Sequence, residues 1–138
     1  MPGAAVVNAE VACSPERAWE LIGDVEGGQP EFELLSRRHT LLADPDPDHE
    51  GEDDRIVVAA RTLFGTSTLH GVLRPGWCLM GSARTLVGMA VAPHGDGARL
   101  VHMEAWRGPG ARLVGAILVP KVRYEVRRIR RLLDGGTG

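Results

Sequence analysis

The chain is nearly without lysine. Of its 16 basic residues only Lys121 is one, and the rest are arginine. Together with the many glycines and alanines, that bias points to a GC-rich coding sequence and carries no functional meaning. An excess of charge is lacking too. The net charge is −2, so no global basic field draws in nucleic acid or an anionic membrane. Long hydrophobic runs are missing. Stretches such as Ala116 to Val119 fall far short of the ~20 residues that span a bilayer. The opening residues, Met1 to Ala5, show no basic stretch followed by an apolar one. No secretory leader is expected, and the cytoplasm is the expected location. Cysteine is scarce. Cys13 and Cys78 have no partner motif and read as reduced, buried thiols rather than a disulfide or a metal pair. A phosphate-binding glycine motif, a nucleophile elbow and zinc spacing are all absent. No metal and no cofactor are expected.

What remains is an ordinary globular composition, with 43% hydrophobic and 25% charged residues. At 138 residues the chain reads as one domain, large enough to bury roughly 68% of its unfolded surface.

The pattern along the chain is mostly strands. Val6 to Val11 alternates, with Val7, Ala9 and Val11 on one face and Asn8 and Glu10 on the other, which predicts a strand. Ser14-Pro15 is an N-cap with proline at the first helical position, so a helix is expected over Pro15 to Ile22. Gly23-Asp24 ends it. Pro30 opens a second short helix carrying Phe32 and Leu35. Strands follow at Arg38 to Ala43, Arg55 to Phe64, Ser67 to Arg74, Trp77 to Ser82, Thr85 to Ala92 and Arg99 to Arg107. Turns are expected at Gly65-Thr66, Pro75-Gly76 and His94 to Gly97. Beyond Gly108-Pro109-Gly110 the apolar period changes from two to about 3.6. Leu113, Ala116, Val119, Val122, Val126, Ile129 and Leu133 then form one stripe of a long helix, opposite Arg123, Arg127, Arg130 and Arg131. Pro120 should kink this helix or delay its start.

Val6 to Val25, reading VVNAEVACSPERAWELIGDV, resembles the opening of the START/Bet v 1-like (SRPBCC) superfamily: a strand, a small-residue turn with proline, then a helix bearing Trp and ending in Asp-Val. The subgroup it is most similar to is the polyketide cyclase/dehydratase group. Gly95 to Val101 and the amphipathic helix after it fit the closing elements. The order of elements, more than any one motif, carries the resemblance. It departs at Gln29, where the family often has Trp before the proline of the second helix, so the contact that Trp would make falls to Phe32 or is absent. The resemblance implies an α+β helix-grip fold: a curved seven-stranded antiparallel sheet gripping the C-terminal helix, with two short helices after the first strand. It implies a cavity for a hydrophobic ligand and does not by itself imply catalysis.

A turn at Gly65-Thr66 would pair Thr62 with Leu69, Ala60 with Gly71 and Val58 with Leu73 on one inward face. Arg55, Arg61 and His70 would then lie on the other. The hairpin at His94 to Gly97 pairs Val91 with Leu100, Met89 with His102, Val87 with Glu104 and Thr85 with Trp106. Each face there mixes polar and apolar residues, and the resemblance places His102, Glu104 and Trp106 inward. The expected ligand lining is Val58, Ala60, Thr62, Leu69, Gly71, Met89, Val91, Leu100 and Trp106, plus Ala116, Val119 and Val122 of the helix. His102 and Glu104 are the candidate catalytic pair. An imidazole beside a carboxylate has its pKa raised and its tautomer fixed, which suits acid/base work. The bland alternative is a satisfied structural contact.

Other signals are weaker. Asp44, Asp46 and Asp48 match the first ligands of a calcium loop, but His49 stands where the turn glycine is needed, and a flexible acidic loop is expected instead. The arginines of the last helix have only Tyr124 among them and read as a solvated face. His39, His49, His70 and His94 read as surface residues. Three functions therefore stand side by side. The first is a carrier or sensor that binds a small hydrophobic molecule, and the second a polyketide aromatase/cyclase or dehydratase using His102 and Glu104. The third is a non-catalytic interaction or stress partner. The expected partner is a small hydrophobic ligand, with neither nucleic acid nor an inserted membrane segment, and with homodimerisation left open.

Overall fold

The computed structural model describes residues 3–43 and 55–135. The acidic stretch 44–54, with its calcium-like spacing and His49, lies outside the described residues. The described elements are β1 (Ala4–Val11), α1 (Pro15–Ile22), α2 (Gln29–Phe32), β2 (Ser36–Ala43), β3 (Arg55–Thr62), β4 (Gly65–Arg74), β5 (Trp77–Gly81), β6 (Thr85–His94), β7 (Gly97–Trp106) and α3 (Ala111–Gly135). The strands form one antiparallel sheet in the order β1-β7-β6-β5-β4-β3-β2. Each of β2 to β7 pairs with the next in sequence, and β1 closes on β7.

Local chemistry accounts for the ends of most elements. The Ser14 side chain accepts a hydrogen bond from the Arg17 N–H at 3.1 Å, and Pro15 starts α1. Ala18 and Ile22 are its buried residues. The expected second helix is shorter than the sequence suggests. It ends at Phe32, because Glu33 is already extended at φ −68° and ψ 121°, so Leu35 lies beyond it.

The β6–β7 hairpin has the expected register, with Val91 facing Leu100, Met89 facing His102, Val87 facing Glu104 and Thr85 facing Trp106. The β3–β4 hairpin does not. Its turn is Leu63-Phe64, between paired Thr62 and Gly65, and Leu69 faces Val58 instead of Thr62. The Thr62 hydroxyl fixes this turn. It donates to the Gly65 carbonyl at 3.0 Å and accepts from the Phe64 N–H at 3.1 Å. Gly65, at φ +117°, follows the turn instead of forming it. The slip is an even number of residues, so every side chain keeps its face. Ile56, Val58, Ala60 and Leu69 are buried, while Arg55, Arg61 and His70 are exposed.

α3 runs unbroken through Pro120. Pro120 and Ala116 are both exposed, so water can reach the carbonyl that proline leaves without its donor. The helix lies against β1 and β7. Its apolar stripe is as expected from Val122 through Val126 and Ile129 to Leu133, all buried. Nearer the N-terminus the expectation fails. Leu113 is 68% exposed and Ala116 is also exposed, while the buried residue is Gly115. A reading that counts apolar side chains passes over a glycine. Here its missing Cβ is the reason for burial, since one would stand 2.6 Å from the Gly3 nitrogen.

Candidate functional site

Between the sheet and α3 the apolar interior is interrupted by five ionisable side chains. His102 and Glu104 come from inward positions of β7, Lys121 and Glu125 from successive turns of α3, and Glu33 from the end of α2. Lys121 Nζ sits at the centre. It lies 2.8 and 2.6 Å from the two Glu104 oxygens, 2.7 Å from Glu125 Oε2 and 3.7 Å from Glu33 Oε2. His102 Nε2 is 3.0 Å from Glu125 Oε1 and 3.5 Å from Glu104 Oε2. Its Nδ1 is 3.4 Å from the Gly88 carbonyl. The Leu34 N–H donates to Glu125 Oε2 at 2.8 Å. The Phe32 ring meets the His102 imidazole edge-on, with centroids 6.3 Å apart, so Phe32 does take up a contact beside the site.

The cluster has a front and a back. The side chains of His102 and Glu125 are fully buried, whereas those of Lys121, Glu104 and Glu33 retain 10%, 11% and 8% exposure. Three carboxylates face two cationic groups, so a fully ionised cluster would hold one uncompensated negative charge, which is costly in a buried place.

The pKa shifts follow that imbalance. Burial, followed by the charges of Glu125 and Glu104, pushes Glu33 well above the usual carboxylate range. Glu104 is also raised, again mainly by burial. Burial would raise Glu125 as well, but its hydrogen bonds to His102 and Glu104 and the Lys121 charge hold it far below that range. For His102, burial disfavours the charge, yet the bonds to Glu104 and Glu125 and the Glu33 charge prevail and lift it to about 10. At neutral pH the imidazolium is the stable form, and both ring nitrogens can then donate.

The sequence-derived lining is distributed as follows. Val58, Ala60, Leu69, Met89, Leu100 and Val122 are buried. Thr62, Gly71, Val91, Trp106 and Val119 are half-buried, and Ala116 is exposed on α3. Thr62 is engaged in the β3–β4 turn. Trp106 sits at the end of β7 and lines a hollow of about 480 Å³ beyond the strand ends. Met89 borders a second hollow of about 350 Å³ with Trp77, Leu79 and Val101. His102 and Glu104 do face inward and meet.

Sequence reading missed Glu33, Lys121 and Glu125. The signal for two of them was present. Glu125 falls three residues after Val122 and four before Ile129, inside the apolar stripe. Lys121, four residues earlier, is the lone lysine among arginines. Another miss is His39, which is buried 3.1 Å from the Val25 carbonyl instead of lying at the surface. His94 and His70 are exposed as expected, and His94 pairs with Glu10 at 2.9 Å. Cys78 is buried and free, and Cys13 is half-buried and free. Gln29, at the position of the expected Trp, is fully buried. Its amide donates to the Ile22 carbonyl at 3.1 Å, and its Oε1 has no partner among the described residues.

A curved antiparallel sheet gripping a long C-terminal helix, with two short helices after the first strand, defines the class as a helix-grip α+β domain. Solved structures of the same architecture include a START superfamily protein from Mycobacterium smegmatis, 12% identical with a TM-score of 0.66 over 98% of this chain and 99% of that one. The KanY protein, solved by NMR, is 14% identical with a TM-score of 0.66 over 98% of this chain and all of that one. A protein from Thermus thermophilus is 12% identical with a TM-score of 0.69 over 98% of this chain and 99% of that one. No family model and no curated protein matches the sequence. The fold is thus that of the START-like superfamily, as the sequence resemblance implied. Among the described residues, no helix is long and apolar enough to cross a membrane.

Proposed function

We propose that the protein binds a small, largely apolar molecule between the sheet and α3, and that the charged cluster meets a carbonyl or hydroxyl on it. The observation that carries this reading is the graded burial of the cluster. A purely structural ion network gains nothing from leaving Lys121, Glu104 and Glu33 partly accessible while sealing His102 and Glu125 behind them. In this arrangement Lys121 is the donor within reach of a ligand oxygen, and Glu33, whose pKa burial raises, stands beside it. His102 and Glu125 hold them in position. The START-like fold supports the reading by analogy of architecture.

A second reading, a cyclase or dehydratase that moves protons, is favoured by the raised Glu33 and Glu104. A carboxyl whose pKa is raised by burial is suited to general acid/base work. In that case the proton carriers are the accessible carboxyls. His102, hydrogen-bonded on both sides and charged up to about pH 10, positions Glu104 and Glu125.

Native mass spectrometry of freshly purified protein tests the first reading. A co-purified small molecule that is retained by wild type and lost in Lys121→Met supports it. A wild-type protein with no adduct, and with no affinity for a panel of apolar carbonyl compounds, overturns it. Turnover of such a compound that is abolished by Glu104→Gln while binding persists selects the second reading, because a proton-transfer group acts on the transition state more than on ground-state binding.

A further inference from the structure

We propose a second ligand site, distinct from the charged cluster, that takes an organic anion with an apolar body at the hollow where β6 and β7 end. The hollow measures about 480 Å³, within the ~300–1,000 Å³ typical of small-molecule sites. Leu86 and Ala105 line it and face one another across the β6–β7 ladder. Side chains alternate along a strand, and Glu104 faces inward toward Lys121. Ala105 and its partner Leu86 therefore project from the opposite, convex side. Thr85 and Trp106, on the inward face, and Ala111 at the start of α3 line it too, so the hollow wraps the strand ends at the rim of the sheet.

Its polar character is of one sign. Arg84 and Arg107 both line it, and no lining residue is acidic. Among the described residues neither guanidinium has a carboxylate partner. Arg84 lies 6.0 Å from the centroid of Trp106. The Arg107 guanidinium donates to the Ala83 carbonyl at 3.4 Å.

The two arginines are also held in place. The turn that carries Arg84 is tied by a 2.7 Å contact between the Ser82 and Thr85 hydroxyls. The Arg107 N–H donates to the Arg84 carbonyl at 2.7 Å. Gly108, at φ +152°, leaves the space that the Arg84 guanidinium occupies, since a Cβ there would collide with Nη1. The Trp106 N–H is spent on the Pro109 carbonyl at 3.3 Å, which leaves its ring as an apolar wall. A flat apolar wall beside two forked cations that have no carboxylate partner among the described residues matches an aromatic or acyl carboxylate. The guanidinium forks take the carboxylate oxygens in pairs, and the body packs on Trp106 and Leu86.

The test uses naphthalene-1-carboxylate and its neutral counterpart naphthalene-1-methanol as probes, with affinity measured by calorimetry. Binding is mapped by amide and indole N–H shifts in ¹⁵N spectra. The expected result is that the carboxylate binds at least tenfold more tightly than the alcohol, with shifts at residues 82–86 and at the Trp106 indole. Arg84→Gln combined with Arg107→Gln, both exposed positions, should cost at least tenfold in carboxylate affinity while leaving the alcohol unchanged. Lys121→Met, in the interior, should leave both unchanged. The proposal is overturned if the carboxylate fails to bind, if the two probes bind alike, or if Lys121→Met weakens the carboxylate and the arginine changes do not. That last outcome would place the anion in the interior and leave the proposed function standing. Loss of a co-purified ligand in Lys121→Met with no effect on naphthalene-1-carboxylate would separate the two sites in the other direction.

Discussion

The two halves of α3 are built on the same helical geometry and meet different fates. From Val122 to Leu133 the stripe is sealed, with Val122, Val126, Ile129 and Leu133 each at most 3% exposed. From Ala111 to Pro120 the apolar residues turn outward, and Leu113 and Ile117 are 68% and 58% exposed. The first half touches the body through Gly115, packed on Gly3, and through the partly buried Leu118 and Val119. The charged cluster lies at the boundary, on Lys121 and Glu125. One half is thus a structural clamp, while the other is largely open to solvent.

The largest effect should come from breaking the clamp. Val126→Asp puts an unpaired carboxylate into the sealed half and should destabilise by ~5 kcal/mol or expel the helix altogether. Ile117→Asp, the same chemistry in the open half, should change stability by no more than about 0.5 kcal/mol. Urea unfolding of the two variants measures the contrast, and equal losses would show that the halves are packed alike.

Next in size is the boundary. Lys121→Met removes the cation shared by three carboxylates and should cost about 3–5 kcal/mol at pH 7. Part of that cost should be recovered on acidification, as Glu33 and Glu104, both raised by burial, take up protons.

The pH dependence of wild type follows with its sign. His102 binds its proton more tightly folded than unfolded, so its contribution is complete below pH 6.5 and is lost as pH rises toward about 10. The slope is at most about 1.4 kcal/mol per pH unit. Glu33 and Glu104, raised in the folded state, add a loss in the same direction that begins above the ordinary carboxylate value. Glu125 runs the other way, and its contribution disappears as pH falls below 4.5. His39, whose burial lowers its pKa, also loses stability on acidification, below pH 6.5. Maximum stability is expected in mildly acidic solution, and His102→Gln should flatten the alkaline limb. A wild-type stability that rises from pH 7 to 9 would contradict this account of the cluster.

The smallest of the structural effects concerns the root of the open half. Gly115→Ala would normally stabilise a helix by ~1 kcal/mol. Here the new methyl meets Gly3 backbone atoms at 2.6 and 2.9 Å, so a net loss of about 1–3 kcal/mol is expected. A gain in melting temperature would show that α3 can lift off β1 without cost.

How far each feature could be read depended on the range of the interaction behind it. α1 was legible to the residue, because Ser14, Pro15 and Ile22 act within one or two turns. The β6–β7 register was legible because its glycines sit at the turn itself. The β3–β4 register was not, because a threonine hydroxyl captured the turn two residues earlier than the glycine suggested. The even slip preserved the faces, which is why the inward residues of that hairpin were still named correctly. Of the cluster, His102 and Glu104 could be found because they share one strand. Glu33 could not, since nothing near it in sequence distinguishes it from any other helix-end glutamate.

By itself, then, the amino-acid sequence determined the alternation of its strands, the cap of its first helix, the clamp stripe of its last, and the order of elements that makes the sheet grip that helix. These rest on contacts between residues close along the chain or repeating with a fixed period. Only the tertiary structure decided that a lysine, a histidine and three glutamates from α2, β7 and α3 share one buried space, and that Arg84 and Arg107 sit beside Trp106 with no carboxylate partner among the described residues. Charges act through space with little regard for sequence separation, and their pKa values and pairing exist only once the fold has brought them within a few ångströms.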